Sequence, residues 1–192
     1  MFSIVRLFLS LLRRRSTPRR RSTPQKNPVG ASITQALTAA EVRARLLDLP
    51  EAKVKWVQDG DTVIVALGRT KTTIRLDSID CPEDGQPWGD TARFGLIKLI
   101  GKQIVRLEEH GTDHHGRMLA TIYVRSRNGG DWINVNEKMV ALGHAWVMRR
   151  YYDHLPVDRQ VTLNRREAWA KSNHVGLWKT PNPIPPWEWR KQ

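Results

Sequence analysis

The sequence predicts a mainly β fold with α-helices: a small five-stranded β-barrel with about three helices, preceded by a disordered basic amino-terminal tail. Three observations lead to this prediction. Five short strand-like segments follow one another between residues 53 and 125. A segment with helical spacing separates the third from the fourth. Hydrophobic residues make up 40% of the 192-residue chain, enough to fill a core.

The strands are predicted from alternating and β-branched residues between turn signals. The first two flank the bend Gln58-Asp59-Gly60-Asp61, whose residue types favour a turn. The third ends in a Pro-bounded loop, and a polar turn separates the fourth from the fifth. The predicted strands are residues 54–57, 62–67, 72–79, 103–108 and 118–125.

The first of three predicted helices covers residues 91–100, with Asp90 as N-cap and Gly101 as its end. The other two cover residues 135–142 and 157–171. Five strands with a helix after the third are typical of an oligonucleotide-binding (OB) barrel. We expect the second and third helices to close its open side.

The chain divides by composition into four parts. Residues 1–40 form a basic leader or tether, and residues 41–51 form a lead-in helix. Residues 52–180 form the barrel domain, and residues 181–192 a tail rich in proline and tryptophan. That tail is too proline-rich for a helix. We expect it to cover apolar surface of the domain, with a base-stacking platform as the alternative.

Charge is concentrated in the leader. Residues 1–40 contain seven Arg, one Lys and no acidic residue, so they carry +8 of the formal net charge of +13. A polyanionic partner is therefore the first expectation, although the rest of the chain is only mildly basic. The single cysteine, Cys81, excludes a disulfide framework and a multi-cysteine zinc site.

The leader leaves the cellular address open. Residues 2–12 are mostly apolar but about half the length needed to cross a bilayer, and the hexapeptide RRRSTP then occurs twice in tandem. Residues 1–26 fit contact with an anionic membrane, or else a processed leader or mis-assigned start. An exported or membrane-associated protein is favoured, with a mitochondrial or cytoplasmic one as the alternatives.

Three polar segments carry groups suited to phosphodiester chemistry. Asp61 and Asp80 are hard oxygen ligands suited to calcium or magnesium. Glu83 can act as a general base or position a water. Arg75 and Arg117 can bind phosphate, because guanidinium matches phosphate oxygens and stabilises the charge of a five-coordinate transition state.

The same segments resemble the staphylococcal nuclease (thermonuclease) family. The strings are DGDT at 59–62, RLDSIDCPE at 75–83 and TDHHGRMLATIY at 112–123, and the resemblance extends over about residues 54–178. It implies a five-stranded OB barrel with three helices. It also implies calcium-dependent cleavage of DNA and RNA that breaks the bond to the 5′ oxygen and leaves 3′-phosphates.

Matched residue by residue, the resemblance implies a catalytic set and a metal site. Glu83 matches the general base, and Arg75 and Arg117 match the two phosphate-binding arginines. Asp61 and Asp80 match the carboxylate ligands of Ca²⁺. Cys81 stands where the family usually has a threonine whose backbone carbonyl also binds the metal.

Departures from the family pattern concern substrate contacts. His115 replaces a tyrosine near the nucleotide phosphate, and Arg149 occupies the position of a tyrosine that stacks on the base. Tyr151 or Tyr152 could take over the stacking role. Adjacent His114 and His115 point to opposite strand faces, and the other histidines lack ligand spacing, so the sequence argues against a zinc site.

The alternative to an enzyme is a non-catalytic nucleic-acid-binding or protein-interaction module of the same fold. Such modules usually lose the carboxylates and arginines, whereas all five are present here. The sequence therefore favours an active nuclease with DNA and RNA as substrates, acting as a monomer.

Overall fold

The computed structural model describes residues 38–192. The predictions for residues 1–37, including the disordered tether and the membrane contact of residues 1–26, lie outside the described residues. Among the described helices, none is long and apolar enough to cross a membrane. The strands are β1 Glu51–Val57, β2 Thr62–Leu67, β3 Thr70–Leu76, β4 Ile79–Asp80, β5 Ile104–Thr112, β6 Met118–Arg125, β7 Trp132–Asn134 and β8 Trp146–Val147. The helices are α1 Ala39–Asp48, α2 Gly89–Ile100, α3 Val135–Ala141, α4 Val157–Ser172 and α5 Pro186–Trp189.

Five of these strands close into a barrel, which confirms the predicted fold class. The antiparallel order is β3-β2-β1-β5-β6, and a parallel pairing of β3 with β6 completes the circle. Alternate residues point inward, as in Val63 and Val65 of β2, both fully buried. The pairing of β3 with β6 therefore closes the barrel. The sequence had suggested that the second and third helices would close it.

The third predicted strand, 72–79, is interrupted in the structure. β3 ends at Leu76, Ser78 has a left-handed φ of 63°, and the chain resumes as the short strand β4. β4 leaves the barrel and pairs with β8, opposite Trp146 and Val147. The break places Asp80 outside the strand pairing of the barrel, opposite Trp146.

The predicted helices are present with shifted ends. α2 starts at Gly89 after a left-handed Trp88 (φ 77°), so Asp90 is not its N-cap, whereas Gly101 ends it as predicted. The prediction that the tail contains no helix is wrong. Prolines there precede or open the single turn of α5, where a missing N–H costs nothing.

Candidate active site

The three polar segments meet in a cleft of about 1160 Å³. It is lined by the carboxylates of Asp61, Asp80 and Glu83 and by the guanidinium groups of Arg75 and Arg117. These residues come from the turn before β2, from β3, from β4 and the loop after it, and from the turn before β6. The fold therefore brings together all five side chains that the sequence singles out for catalysis and metal binding.

The β2–β3 hairpin places Asp61 beside Arg75. Thr62, the first residue of β2, pairs with Arg75 in antiparallel register. The Leu76 amide donates to the Asp61 carbonyl at 2.8 Å, which extends the ladder by one more bond. The backbone of both functional residues is thus held by barrel hydrogen bonds rather than by a free loop.

Two glycines allow close backbone approach around the site. A Cβ at Gly60 would lie 2.6 Å from the Cys81 Cβ and 3.0 Å from the Ala92 Cβ. A Cβ at Gly89 would lie 2.1 Å from the Glu83 carbonyl oxygen. Glycine at these positions lets the DGDT turn and the start of α2 pack directly onto the loop that carries Glu83.

Asp61 and Asp80 share one arginine. Asp61 is 6% exposed and Asp80 1%. The Arg75 Nη1 lies 3.1 Å from Asp61 Oδ2, and its Nη2 lies 2.6 Å from Asp80 Oδ1. The Cys81 amide also donates to Asp61 Oδ2, at 2.6 Å. Two buried carboxylates therefore converge on a single guanidinium, which pairs both but carries only one positive charge.

The electrostatics of this group differ from those of exposed side chains. Burial raises the pKa of Asp61 to about 7, although Arg75 opposes the increase. Burial lowers the pKa of Arg75, but Asp61 and Asp80 outweigh it, so that this pKa lies above its usual value. Burial also raises the pKa of the Cys81 thiol well above its usual value, and the thiol stays neutral.

The donor set fits a hard divalent cation. The contacts of Asp61 and Asp80 with one guanidinium bring the two carboxylates close together. Carboxylate oxygens are the ligands that calcium and magnesium prefer. The backbone carbonyl of Cys81 would add a third hard oxygen ligand. Its role as a metal ligand stays a prediction.

Glu83 stands at the rim of the cleft. Its side chain is 38% exposed, so that water reaches the carboxylate. Its backbone is fastened, because the Glu83 amide donates to the side-chain oxygen of Gln86 at 2.9 Å, and Gln86 is buried. A solvent-accessible carboxylate on a fixed backbone is what a general base requires.

The carboxy-terminal tail adds a residue that the sequence analysis did not identify. Arg190 Nη2 donates to Asp80 Oδ2 at 2.9 Å, and Arg190 Nη1 donates to Glu83 Oε1. Burial lowers the pKa of Arg190, but Asp80 and Glu83 together raise it above its usual value. No spacing rule connects Arg190 to residues more than a hundred positions earlier, so no sequence signal could have identified it.

The tail is anchored on the domain just before α5 and within it. The side-chain amide of Gln86 donates to the Ile184 carbonyl at 2.7 Å. The Trp187 ring meets the buried Trp146 edge to face, with centroids 6.4 Å apart, and Pro186 is buried. Arg190 is therefore presented to the cleft by a packed segment.

Arg117 is oriented by the turn that precedes β6. Its Nε donates to Asp113 Oδ2 at 2.8 Å, and its Nη1 lies 3.4 Å from the Thr62 hydroxyl. Asp113 Oδ1 accepts the amides of His115 and Arg117, each at 2.9 Å. The guanidinium is thus held over the cleft before any ligand arrives, with 30% of its side chain exposed.

The candidate substrate residues separate into two groups. His115 and Tyr151 line the cleft. Tyr151 is 58% exposed, and the Arg150 guanidinium lies 5.6 Å from the centre of its ring. Tyr152 packs against the hydrophobic core and is not among the residues that line the cleft. The structure therefore offers Tyr151, and not Tyr152, for contact with a base.

The guanidinium of Arg149 is paired with the buried carboxylate of Glu167. Its Nη2 lies 2.6 Å from Glu167 Oε2, and the other oxygen of Glu167 accepts the Val147 amide at 2.9 Å. Glu167 is 2% exposed, and these partners together with Lys171 hold its pKa below the usual value despite the opposing effect of burial. The residue at the expected base-stacking position is thus engaged in fastening α4 to β8.

The matching family is described as "Staphylococcal nuclease homologue", and its model matches residues 73–180, more than half of the chain. Arg75, Asp80, Glu83 and Arg117 lie within the match. Asp61 precedes it and Arg190 follows it.

Similar proteins include several nucleases. The "Micrococcal nuclease" of Shigella flexneri is 38% identical over 142 residues, which are 72% of this chain and 79% of that protein. "Protein ParB" of Escherichia coli is 34% identical over 143 residues, 73% of this chain and 78% of that protein. An "Uncharacterized endonuclease" of Haemophilus influenzae is 34% identical over 141 residues, 73% of this chain and 72% of that protein.

Proposed function

The chain belongs to the family of staphylococcal nuclease homologues and is a nuclease acting on nucleic acid, and we propose that it hydrolyses phosphodiester bonds of both DNA and RNA in a calcium-dependent reaction. The observation that supports this proposal is the convergence of five side chains in one cleft: Asp61, Arg75, Asp80, Glu83 and Arg117. Together they supply a site for a hard cation, a base, and two phosphate-binding groups.

Arg75 and Arg117 bind the phosphate that is cut. Both guanidinium groups line the cleft, and each is oriented by carboxylates, Arg75 by Asp61 and Asp80 and Arg117 by Asp113. Because they are fixed in advance, they stabilise the extra negative charge of the five-coordinate phosphorus with little reorganisation.

Asp61, Asp80 and the backbone carbonyl of Cys81 would hold the calcium ion, which supplies charge neutralisation to the phosphate when bound. The two carboxylates are suited to this role because carboxylate oxygens are hard ligands, and a cation that binds Asp80 would compete with Arg75 and Arg190 for it.

Glu83 is the general base. Its carboxylate takes a proton from a water molecule as the water oxygen attacks phosphorus. The bond between phosphorus and the 5′ oxygen breaks, the 5′ oxygen takes up a proton, and the phosphate stays on the 3′ side. Tyr151 and His115 line the same cleft and are the groups available to contact the neighbouring nucleotide.

The test measures cleavage of single-stranded DNA and RNA by the full chain with calcium and with a chelator. We expect cutting only with calcium, fragments that end in 3′-phosphate, and a decrease of at least about a hundredfold in Glu83→Gln. Asp84→Asn is the matched control, because it removes an exposed neighbouring carboxylate and should cut like the wild type.

Different outcomes separate the parts of the proposal. Cleavage that persists in chelator, or that survives in Glu83→Gln, contradicts the mechanism. A wild type that binds single-stranded DNA but does not cut it under any divalent metal would indicate the non-catalytic binding module instead.

A further inference from the structure

A second group of metal-ligand side chains lies in the same cleft. Asp77, His110 and His154 each offer a ligand atom, and these atoms all lie within 4.8 Å of one another. All six histidines of the sequence belong to residues 38–192. Within that range, this is the one group of three His, Cys, Asp or Glu side chains whose ligand atoms are this close together. The sequence argued against a zinc site, but the fold brings together residues that no spacing rule links.

The backbone fixes two of the three residues. Asp77 is buried, its amide donates to the Ala120 carbonyl, and its carbonyl accepts the side chain of Asn136, both at 3.0 Å. His110 lies at a register shift between Glu109 and Gly111 in β5. A bulge of this kind re-aims a side chain, and here His110 lines the cleft.

Hydrogen bonds already orient the three side chains. His154 Nε2 lies 2.8 Å from Asp77 Oδ2, which also accepts the Ser78 hydroxyl at 2.7 Å. His110 Nε2 lies 2.9 Å from the Thr121 hydroxyl. That hydroxyl can accept from one ring nitrogen and leave the other for a metal, which is the usual support of a ligating histidine.

The chemistry of this group differs from that of the carboxylate pair. Two imidazoles and one carboxylate suit zinc, cobalt or nickel, whereas calcium prefers oxygen ligands alone. A tetrahedral zinc ion with bonds of about 2.1 Å needs ligand atoms roughly 3.4 Å apart. The side chain of His154 is 41% exposed, so it can move to adjust these separations.

We propose that Asp77, His110 and His154 form a second metal site, specific for zinc or a similar borderline divalent ion and separate from the calcium site. Three protein ligands leave one coordination position, as in zinc sites that are open to a ligand. That position faces the cleft that the carboxylates and arginines line, so that water or a phosphate oxygen can complete the coordination.

Zinc binding by the calcium-free full chain tests this site directly, by competition with a chromogenic zinc indicator. We expect one tight equivalent in the wild type and a loss of affinity of at least about tenfold in His154→Ala and in His110→Ala. Bound cobalt should show the visible spectrum of a four-coordinate ion, and His154→Ala should change it.

Two matched variants keep the result specific. His115→Ala removes an exposed histidine of the same cleft and should keep zinc affinity unchanged. Asp80→Asn should lose calcium binding and keep zinc binding. The proposal is overturned if the wild type binds no zinc tightly, if both histidine variants bind it like the wild type, or if Asp80→Asn loses it. The first two results would leave an ordinary Asp77–His154 hydrogen bond.

Discussion

Arg190 and Glu83 are 107 positions apart in the chain, and their side chains form a direct ion pair at the rim of the cleft. The same guanidinium also pairs with Asp80, a proposed calcium ligand. The carboxylates of the site thus meet a guanidinium from each side, Arg75 from the barrel and Arg190 from the tail. A cation approaching Asp80 has to compete with the positive charge of Arg190.

Arg190→Ala should therefore bind calcium more tightly, by roughly two- to tenfold, because half-exposed ion pairs are screened but not negligible. Calorimetric titration measures the change, and cleavage at sub-saturating calcium should rise with it. Lys191→Ala is the matched control, since it removes the same charge from the next, exposed position. A lower kcat at saturating calcium would instead assign Arg190 to phosphate binding.

Calcium affinity should increase as pH rises through about 7. Burial raises the pKa of Asp61 to that value, so that calcium must displace a proton at lower pH. Titrations between about pH 5.5 and pH 8.5 measure the dependence. Affinity that is flat across this window contradicts the role of Asp61 as a ligand that is protonated in the calcium-free protein.

The raised pKa of Asp61 also predicts how the free energy of unfolding depends on pH when a chelator removes calcium. Because the folded pKa of Asp61 is raised from its ordinary 3.8, its contribution to the free energy of unfolding is fully present below about pH 4 and is lost as pH rises through about 7. Asp61→Asn lacks this titration. The difference between wild type and variant should change across that window and be constant above it, as measured by urea unfolding.

Arg117→Lys should lose cleavage by about a hundredfold or more while the protein stays folded. Lysine keeps the charge but cannot make the paired contacts of a guanidinium with Asp113 and a phosphate. Steady-state cleavage and circular dichroism check both parts. Arg125→Lys, at the exposed end of the same strand β6, should behave like the wild type. Equal activity of the two variants would exclude Arg117 from the reaction.

Gly60→Ala should destabilise the protein by about 1–3 kcal/mol and weaken calcium binding. The new methyl group would lie 2.6 Å from the Cys81 Cβ, which forces the DGDT turn away from the loop after β4 and moves Asp61 with it. Denaturant unfolding and calcium titration give the two effects. Gly130→Ala has open space and should change neither; a stable Gly60→Ala with normal calcium affinity contradicts the packing argument.

Local patterns were sufficient for most of the barrel. Alternation in residues such as Val63 and Val65 reports which side of a strand is buried, because successive side chains point to opposite faces. The pairing of the chain after Leu76 was not predictable in the same way. In RLDSID the apolar residues Leu76 and Ile79 are three positions apart, so the alternation ends there. The pattern does not indicate that β4 then pairs with β8, some seventy residues later.

The candidate site residues likewise separate into those that local patterns indicate and those that depend on the packing of distant segments. By itself the sequence indicated the five barrel strands, the helix after the third strand, and Asp61, Arg75, Asp80, Glu83 and Arg117 as candidates, because these lie in short strings whose chemistry and spacing are local. Only the tertiary structure decided that Arg190 joins them, that Tyr151 rather than Tyr152 lines the cleft, and that Asp77 meets His110 and His154. The physical reason is that these contacts depend on how distant segments pack: a tail anchored by Trp187, a bulge at His110, and a strand that leaves the barrel. Spacing along the chain does not specify which distant segments come into contact when the core packs.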